Sequence, residues 1–261
     1  MTQGLAHTVD GVGVEVPRLR LLDLFSGIGG FSLGLERSGG FETVAFCEIE
    51  PFCRRVLAKH WPGVPIYDDI RTLRGFPVDA VCGGFPCQPY STASRGLQRG
   101  AEDDRALWPE MLRVIDESNP AWVVGENVAG FDSLDLERVV SDLEARNYEV
   151  APFEIPACAV GHDHWRPRIW LCAYTDRDKQ PGRAVYAEVA RRKELRPIAS
   201  RARATHGLSA RLDGHRARSL GNAVVPQIPE LIGRAILTAM APHPSPDPSN
   251  GLPPNPKGEK S

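Results

Sequence analysis

From Leu21 onward the chain alternates short apolar runs with longer segments of helical period. LLDLF precedes FSLGLERSG, TVAFCEI precedes PFCRRVLAKHW, VDAVCGG precedes ALWPEMLRVIDES, AWVVGENV precedes LERVVSDLEARN, and RIWLCAY closes the series. The runs are apolar throughout rather than alternating, as strands covered on both faces require. Leu112 with Ile115, and Val139 and Val140 with Leu143, give the intervening segments an apolar stripe at helical spacing. Strands alternating with helices of this length predict an α/β fold: a mostly parallel, Rossmann-like sheet with helices on both faces.

The pattern dissolves after Tyr174 into a polar stretch punctuated by Pro181, Gly182, Pro197 and Gly207. It returns at SLGNAVVPQIPELIGRAILTAM, where Pro226 and Pro229 lead into an apolar helical run. Residues 1–18 read as a loose lead-in, and 241–261, with seven prolines and few apolar residues, as a disordered tail. No internal repeat is visible.

Charge sharpens this division. The chain carries a net charge of -2, yet residues 174–218 hold 12 Lys and Arg against 5 Asp and Glu. A basic block on an otherwise acidic protein fits a polyanionic partner held locally, although a solvated arginine-rich helix face has the same composition. No run of about 18 apolar residues is present, which argues against a helical membrane span. The first twenty residues lack the apolar core and small-residue cleavage site of a secretory signal, so a cytoplasmic protein is expected. The six cysteines include no C-x-x-C pair, which argues against a zinc site, and most read as reduced, buried thiols.

Three places carry candidate chemistry. The first is LLDLFSGIGGFSLGLE, a strand running through Gly27, Gly29 and Gly30 into a helix. Glycines there allow positive φ and close approach of a ligand to the backbone, at the strand edge where open parallel sheets bind ligands. Glu48, 25 residues after Asp23 at the end of the second strand, can accept both hydroxyls of a ribose; Asp69, after the next apolar stretch, can accept an adenine amine. Taken singly each acid is an ordinary surface residue or cap, but in register they suit a nucleoside cofactor. Both NAD and S-adenosylmethionine fit, although G-I-G-G departs from the dinucleotide G-x-G-x-x-G.

The second place is VCGGFPCQPYS. It sets Cys87 between Pro86 and Gln88 on a stiffened loop after a strand, accessible as a nucleophile, whereas Cys82 lies within the strand and reads as buried and inert. The third is HWRPR, where Arg166 and Arg168 stand two apart ahead of a strand and so face the same way.

Together DLFSGIGGFSLGLE (23–36), FCEIEPFC (46–53), DDIR (68–71), GGFPCQPYS (83–91), GENV (125–128), HWRPR (164–168) and GNAVVPQI (221–228) resemble, in the same order, the cytosine-C5 DNA methyltransferases of the small bacterial or phage type. The resemblance implies an S-adenosylmethionine-dependent methyltransferase fold and methyl transfer to carbon 5 of a flipped cytosine. S-adenosylhomocysteine is then the product, and no metal is involved. It implies that Cys87 adds to carbon 6 of the base, that Glu126 bonds ring nitrogen 3, and that Arg166 and Arg168 hold the base carbonyl and a phosphate. It places Phe25, Gly27, Gly29, Gly30, Glu48, Ile49, Asp69, Pro86, Asn222 and Val224 around the cofactor. Ile49 stands where a larger aromatic often stacks, and His164 where glutamine is usual.

On this reading residues 19–173 form the catalytic domain, 174–218 a short basic target-recognition region, and 219–240 a segment returning to the catalytic domain. The expected partner is double-stranded DNA, bound by a monomer, with a cognate restriction endonuclease as a further partner in a restriction-modification system. Two other readings stay open: an RNA cytosine-C5 methyltransferase acting on tRNA, and a catalytically idle DNA-binding relic with a truncated recognition region.

Overall fold

The computed structural model of the chain describes residues 18–86, 107–128, 133–175 and 223–241. In chain order the elements are β1 (Leu19–Leu24), α1 (Gly30–Arg37), β2 (Phe41–Cys47), α2 (Pro51–His60), β3 (Ile66–Tyr67), β4 (Ala80–Gly83), α3 (Trp108–Ser118), β5 (Trp122–Val128), α4 (Ser133–Glu144), β6 (Glu149–Pro156), β7 (Pro167–Tyr174) and α5 (Gln227–Met240). The strands form a seven-stranded sheet in the order β3-β2-β1-β4-β5-β7-β6. Pairings among β1 to β5 are parallel; β7 runs antiparallel to both β5 and β6.

The alternation of side chains along each strand feeds two separate cores. Leu21, Cys82, Val124 and Trp170 face α1 and α5, packing with Phe31, Leu35, Ile232 and Ile236. Leu22, Leu24, Val81 and Val123 face the other way, against Met111, Val114 and Ile115 of α3 and Val139 and Leu143 of α4. The central strands β1, β4 and β5 are therefore buried on both sides, which is why their sequences are apolar without alternation. Asp23 is the exception: it sits between Leu22 and Leu24, is fully buried, and by the same alternation faces α1, the side of Leu21.

α1 and α5 pack unusually close. A Cβ built on Gly34 would strike the Pro226 carbonyl oxygen, and would lie 2.8 Å from the Pro229 Cβ and 2.9 Å from the Glu230 nitrogen. Only a residue without a side chain lets the two backbones meet there. The contact fastens the C-terminal helix behind the turn that opens α1.

β6 has no counterpart among the strands expected from the sequence. Its residues, EVAPFEIP, include two prolines and two glutamates, and it stands last in the sheet order among the described residues. Proline is tolerated on an edge strand, where no ladder hydrogen bond is owed on one side. β7 also carries the pairing through Tyr174, one residue past the expected catalytic-domain boundary. Among the described residues, no helix is long and apolar enough to cross a membrane.

Candidate active site

The carboxyl ends of β1, β2, β4 and β5 share one edge, because these strands are mutually parallel and in register: Leu24 pairs with both Cys47 and Gly83, and Gly83 with Gly125. The strand order reverses between β1 and β4, since β2 lies on one side of β1 and β4 on the other. Crevices form at such a switch point because the connections leave in opposite directions. The glycine turn follows β1, and the segment leading to Cys87 follows β4, so both depart from this place.

The turn itself is held in left-handed conformations. Phe25 has φ 52°, Gly27 φ 54° and Gly29 φ 86°. Gly29 caps α1, and its amide donates to the Ser26 carbonyl at 2.8 Å. A Cβ on Gly27 would meet none of the described residues within 4 Å, so among them the turn is open at that point. Gly30 lies against Val224, whose carbonyl oxygen would be 2.7 Å from a Cβ there.

Beside the turn, Glu48 is buried and fixed by two backbone donors: the Gly27 amide to Oε2 at 2.6 Å and the Glu50 amide to Oε1 at 2.7 Å. Burial raises its pKa, and those two hydrogen bonds partly oppose the shift. Ile49 follows with 63% of its surface exposed, an apolar face left open at the same edge. Arg54 donates to the carbonyls of Glu48 and Ile49, holding this short segment in place. Asp69 accepts from the Arg71 amide at 2.9 Å and from its guanidinium, which lowers its pKa. Arg113 in turn donates to the carbonyls of Ile70 and Leu73, tying that loop to α3.

Across the crevice, Glu126 near the end of β5 pairs with Arg168 at the start of β7, with Nε to Oε1 at 3.0 Å. The antiparallel register sets Val128 opposite Arg168 and Glu126 opposite Trp170, so Glu126 and Arg168 are diagonal neighbours on one face. Burial raises the Glu126 pKa, while Arg168 and Arg166 pull it back. Arg166 is partly desolvated, and together with the nearby Arg168 this lowers its own pKa; it donates to the Ala223 carbonyl at 3.2 Å, close to Val224. The Glu126 carboxylate also lies over Gly84, 3.2 Å from a Cβ built there and three residues before Cys87.

Pro86 is exposed at the end of this described stretch. Cys87 and Asn222 lie outside the described residues, as does almost all of the basic region 174–218. Cys82, expected to be inert, is fully buried, and burial pushes its thiol pKa well up.

Sequence reasoning passed over Asn127, and gave Asp23 only a place in the row of acids at successive strand ends. Asn127, buried, donates from Nδ2 to the Phe85 carbonyl at 3.2 Å and accepts the Val128 amide, which ties the chain before Cys87 to the end of β5. Asp23 accepts the Ser32 amide and hydroxyl, at 3.3 and 2.7 Å, from beneath the first turn of α1. A polar residue in an otherwise apolar strand was the available signal for Asp23; Asn127 had only its place in GENV.

Residues 19–205 match the family model described as C-5 cytosine-specific DNA methylase. The chain is 41% identical over 165 residues to Type II methyltransferase M2.BsuMI of Bacillus subtilis (strain 168), covering 59% of this chain and 42% of that protein. It is 34% identical over 168 residues to Type II methyltransferase M.HhaI of Haemophilus parahaemolyticus, covering 61% and 50%. The chain thus spans about half the length of these curated relatives. Among solved structures, S. pombe Dnmt2 methyltransferase aligns with TM-score 0.53 at 24% identity, over 60% of this chain and 51% of that one, a likeness of fold.

Proposed function

Because the chain belongs to the C-5 cytosine-specific DNA methylase family, we propose that it transfers a methyl group from S-adenosylmethionine to carbon 5 of a cytosine in double-stranded DNA, with Cys87 as the covalent nucleophile. The observation that carries this reading is the Glu126–Arg168 pair, held over Gly84 at the strand edge that also bears the glycine turn and Glu48. A buried acid and a guanidinium meet at the switch point of the sheet, where the segment leading to Cys87 leaves it.

The residues present fit that cofactor. Each Glu48 oxygen accepts one backbone amide and so keeps a lone pair for a ribose hydroxyl. The space before Gly27, open among the described residues, admits a ligand against the backbone, and the exposed Ile49 offers an apolar face to an adenine. Asp69 supplies an acceptor for the adenine amine, and the family resemblance adds Phe25, Gly29, Gly30, Pro86, Asn222 and Val224 to the cofactor's contacts. When bound, S-adenosylmethionine supplies an electrophilic methyl group on a positively charged sulfur.

Carbon 5 of cytosine is a poor nucleophile until the ring's conjugation is broken. Cys87, as thiolate, adds to carbon 6, and the electron pair displaced from the 5,6 double bond makes carbon 5 nucleophilic. Glu126, whose pKa burial raises against the pull of Arg168 and Arg166, donates a proton to ring nitrogen 3 as negative charge develops there. Arg168 fixes the orientation of that carboxyl, and Arg166 and Arg168 hold the base carbonyl and the phosphate. Once carbon 5 carries the methyl group, loss of its proton to water expels Cys87 as thiolate, restores the 5,6 double bond and returns the nitrogen 3 proton to Glu126. The target atom is enclosed in stacked duplex, so the cytosine must first leave the helix. Residues 174–218 supply phosphate contacts through their surplus of positive charge, which are blind to sequence.

Bisulfite sequencing of a plasmid from cells expressing the chain tests activity, the modified base and its context together. Cys87→Ala abolishes methylation and covalent trapping on duplexes containing 5-fluorocytosine, while leaving S-adenosylhomocysteine binding intact. Methylation by the Ala variant at the wild-type level refutes the nucleophile. Tritium transfer to tRNA rather than to duplex DNA refutes the substrate, and tight duplex binding without trapping by the wild type refutes the activity.

A further inference from the structure

The glycine turn is built on a side chain that the proposed chemistry does not use. Trp61 stands at the C-terminal end of α2, its amide bonded to the Leu57 carbonyl at 2.8 Å. Its indole lies directly against Gly29: a Cβ placed there would be 2.6 Å from Cη2 and Cζ3. The indole N–H donates to Glu36 Oε2 at 2.9 Å, and Glu36 Oε1 accepts the Thr43 amide of β2 at 3.1 Å. The ring also meets Phe46 of β2 edge-on, with centroids 5.2 Å apart. One side chain thus touches α1, β2 and the left-handed residue that caps α1.

We propose that Trp61 is a positioning residue for the cofactor: its indole forms the back wall of the glycine turn, and its bond to Glu36 locks that wall to α1. The proposal rests on reading the turn as the S-adenosylmethionine site.

Left-handed backbone at Phe25, Gly27 and Gly29 is only one of the conformations those residues can take, and glycine passes readily between positive and negative φ. Elsewhere the turn is restrained by the hydrogen bond from the Gly27 amide to Glu48 and by the Ser26 hydroxyl, which donates to the Asp23 and Cys47 carbonyls, none of which holds Gly29. On its back, the indole leaves Gly29 no room to move toward α2. Removing the ring opens that space and lets the turn populate conformers that do not bind. A cofactor that requires one conformer then binds more weakly in proportion to the fraction lost. Methyl transfer from saturated enzyme is unchanged, because Trp61 is behind the turn and touches neither Glu126 nor Arg168.

Titration calorimetry with S-adenosylhomocysteine tests this on the full chain without requiring turnover. Trp61→Leu raises Kd about tenfold, and Trp61→Phe, which keeps a ring but loses the bond to Glu36, raises it about threefold, as the binding-competent fraction falls. Amide exchange in the peptide containing residues 26–30 accelerates in the same order. KM for S-adenosylmethionine rises in parallel, with kcat within about twofold of wild type.

A purely structural role is separated by Tyr148→Phe, which removes a buried hydrogen bond to the Pro120 carbonyl at the far end of β5. That variant loses thermal stability with no change in Kd. Should Trp61→Leu fail to fold, Trp61→Phe carries the test. Wild-type affinity in the folded Trp61 variants overturns the proposal, as does an equal loss in Tyr148→Phe. A wild-type chain that does not bind S-adenosylhomocysteine overturns the cofactor reading and this inference with it.

Discussion

Asp23→Asn measures the cost of an acid buried beneath the ligand turn. Asp23 is wholly enclosed at the end of β1, and burial carries its pKa from 3.8 to about 7. The Ser32 amide and hydroxyl and the Cys82 thiol oppose that shift, and Glu48 adds to it. The folded chain therefore holds the Asp23 proton more tightly than the unfolded chain does. The stability this contributes is complete below 3.8, is lost progressively as pH rises toward 7, and is constant above that.

At about 1.4 kcal/mol for each tenfold difference in proton affinity, the window amounts to roughly 4 kcal/mol. Asparagine keeps the shape and an acceptor oxygen for Ser32 but does not titrate. Equilibrium urea unfolding of both proteins between pH 4 and pH 8.5, at one ionic strength, isolates the group. The stability of Asp23→Asn minus that of wild type rises by roughly 4 kcal/mol across the window, and contributions from Glu48 and Glu126, present in both chains, largely cancel. A difference curve that is flat within about 1 kcal/mol, or that slopes downward, means that Asp23 ionises in the folded state at an ordinary pH, and the reasoning from burial fails.

Gly34→Ala destabilises the chain by about 2 kcal/mol in thermal or urea unfolding, despite the better helix propensity of alanine, because the new methyl group forces α1 from the Pro226 backbone; an unchanged midpoint contradicts the close approach. Glu126→Gln slows trapping by 5-fluorocytosine duplexes about a hundredfold or more, with S-adenosylhomocysteine affinity unchanged, since the amide cannot donate a proton to nitrogen 3 and leaves Arg168 without its ion pair. A trapping rate within about threefold of wild type removes Glu126 from the chemistry.

The framework of the fold was legible because its strands are buried on both faces. LLDLF, VDAVCGG and AWVVGENV can be covered only in a sheet with helices on each side, and the glycines after the first mark where the chain turns at the ligand edge. β6 was hidden for the opposite reason: an edge strand owes hydrogen bonds on one side only, so Pro152, Pro156 and two glutamates sit within it without breaking it. Glu48 could be placed beside the glycine turn from spacing alone, because both follow neighbouring parallel strands. Trp61 could not. Its contact with Gly29 depends on where the end of α2 falls against a turn some thirty residues earlier, and an aromatic at a helix end is equally compatible with simple core packing.

The position of the arginines shows what reversing one strand accomplishes. Most of the candidate site lies at or just past the carboxyl end of a strand: the turn after β1, Glu48 after β2, the stretch toward Cys87 after β4, and Glu126 two residues before the end of β5. HWRPR instead leads into its strand, with Arg168 as the second residue of β7. In a wholly parallel sheet, residues ahead of a strand fall at the edge opposite the ligand crevice, and Arg166 and Arg168 would be separated from Glu126 by the full length of β5. Because β7 enters the sheet antiparallel, its first residues lie against the last residues of β5, with Arg168 opposite Val128. The same reversal lets β7 leave the sheet at the far edge, so the chain between it and α5 must return before Ala223 can accept from Arg166 and Val224 can close on Gly30. One antiparallel strand thus delivers two cations to a parallel sheet's ligand edge and sets the start of the connection to α5 at the opposite edge. The short basic segment of this chain occupies that connection.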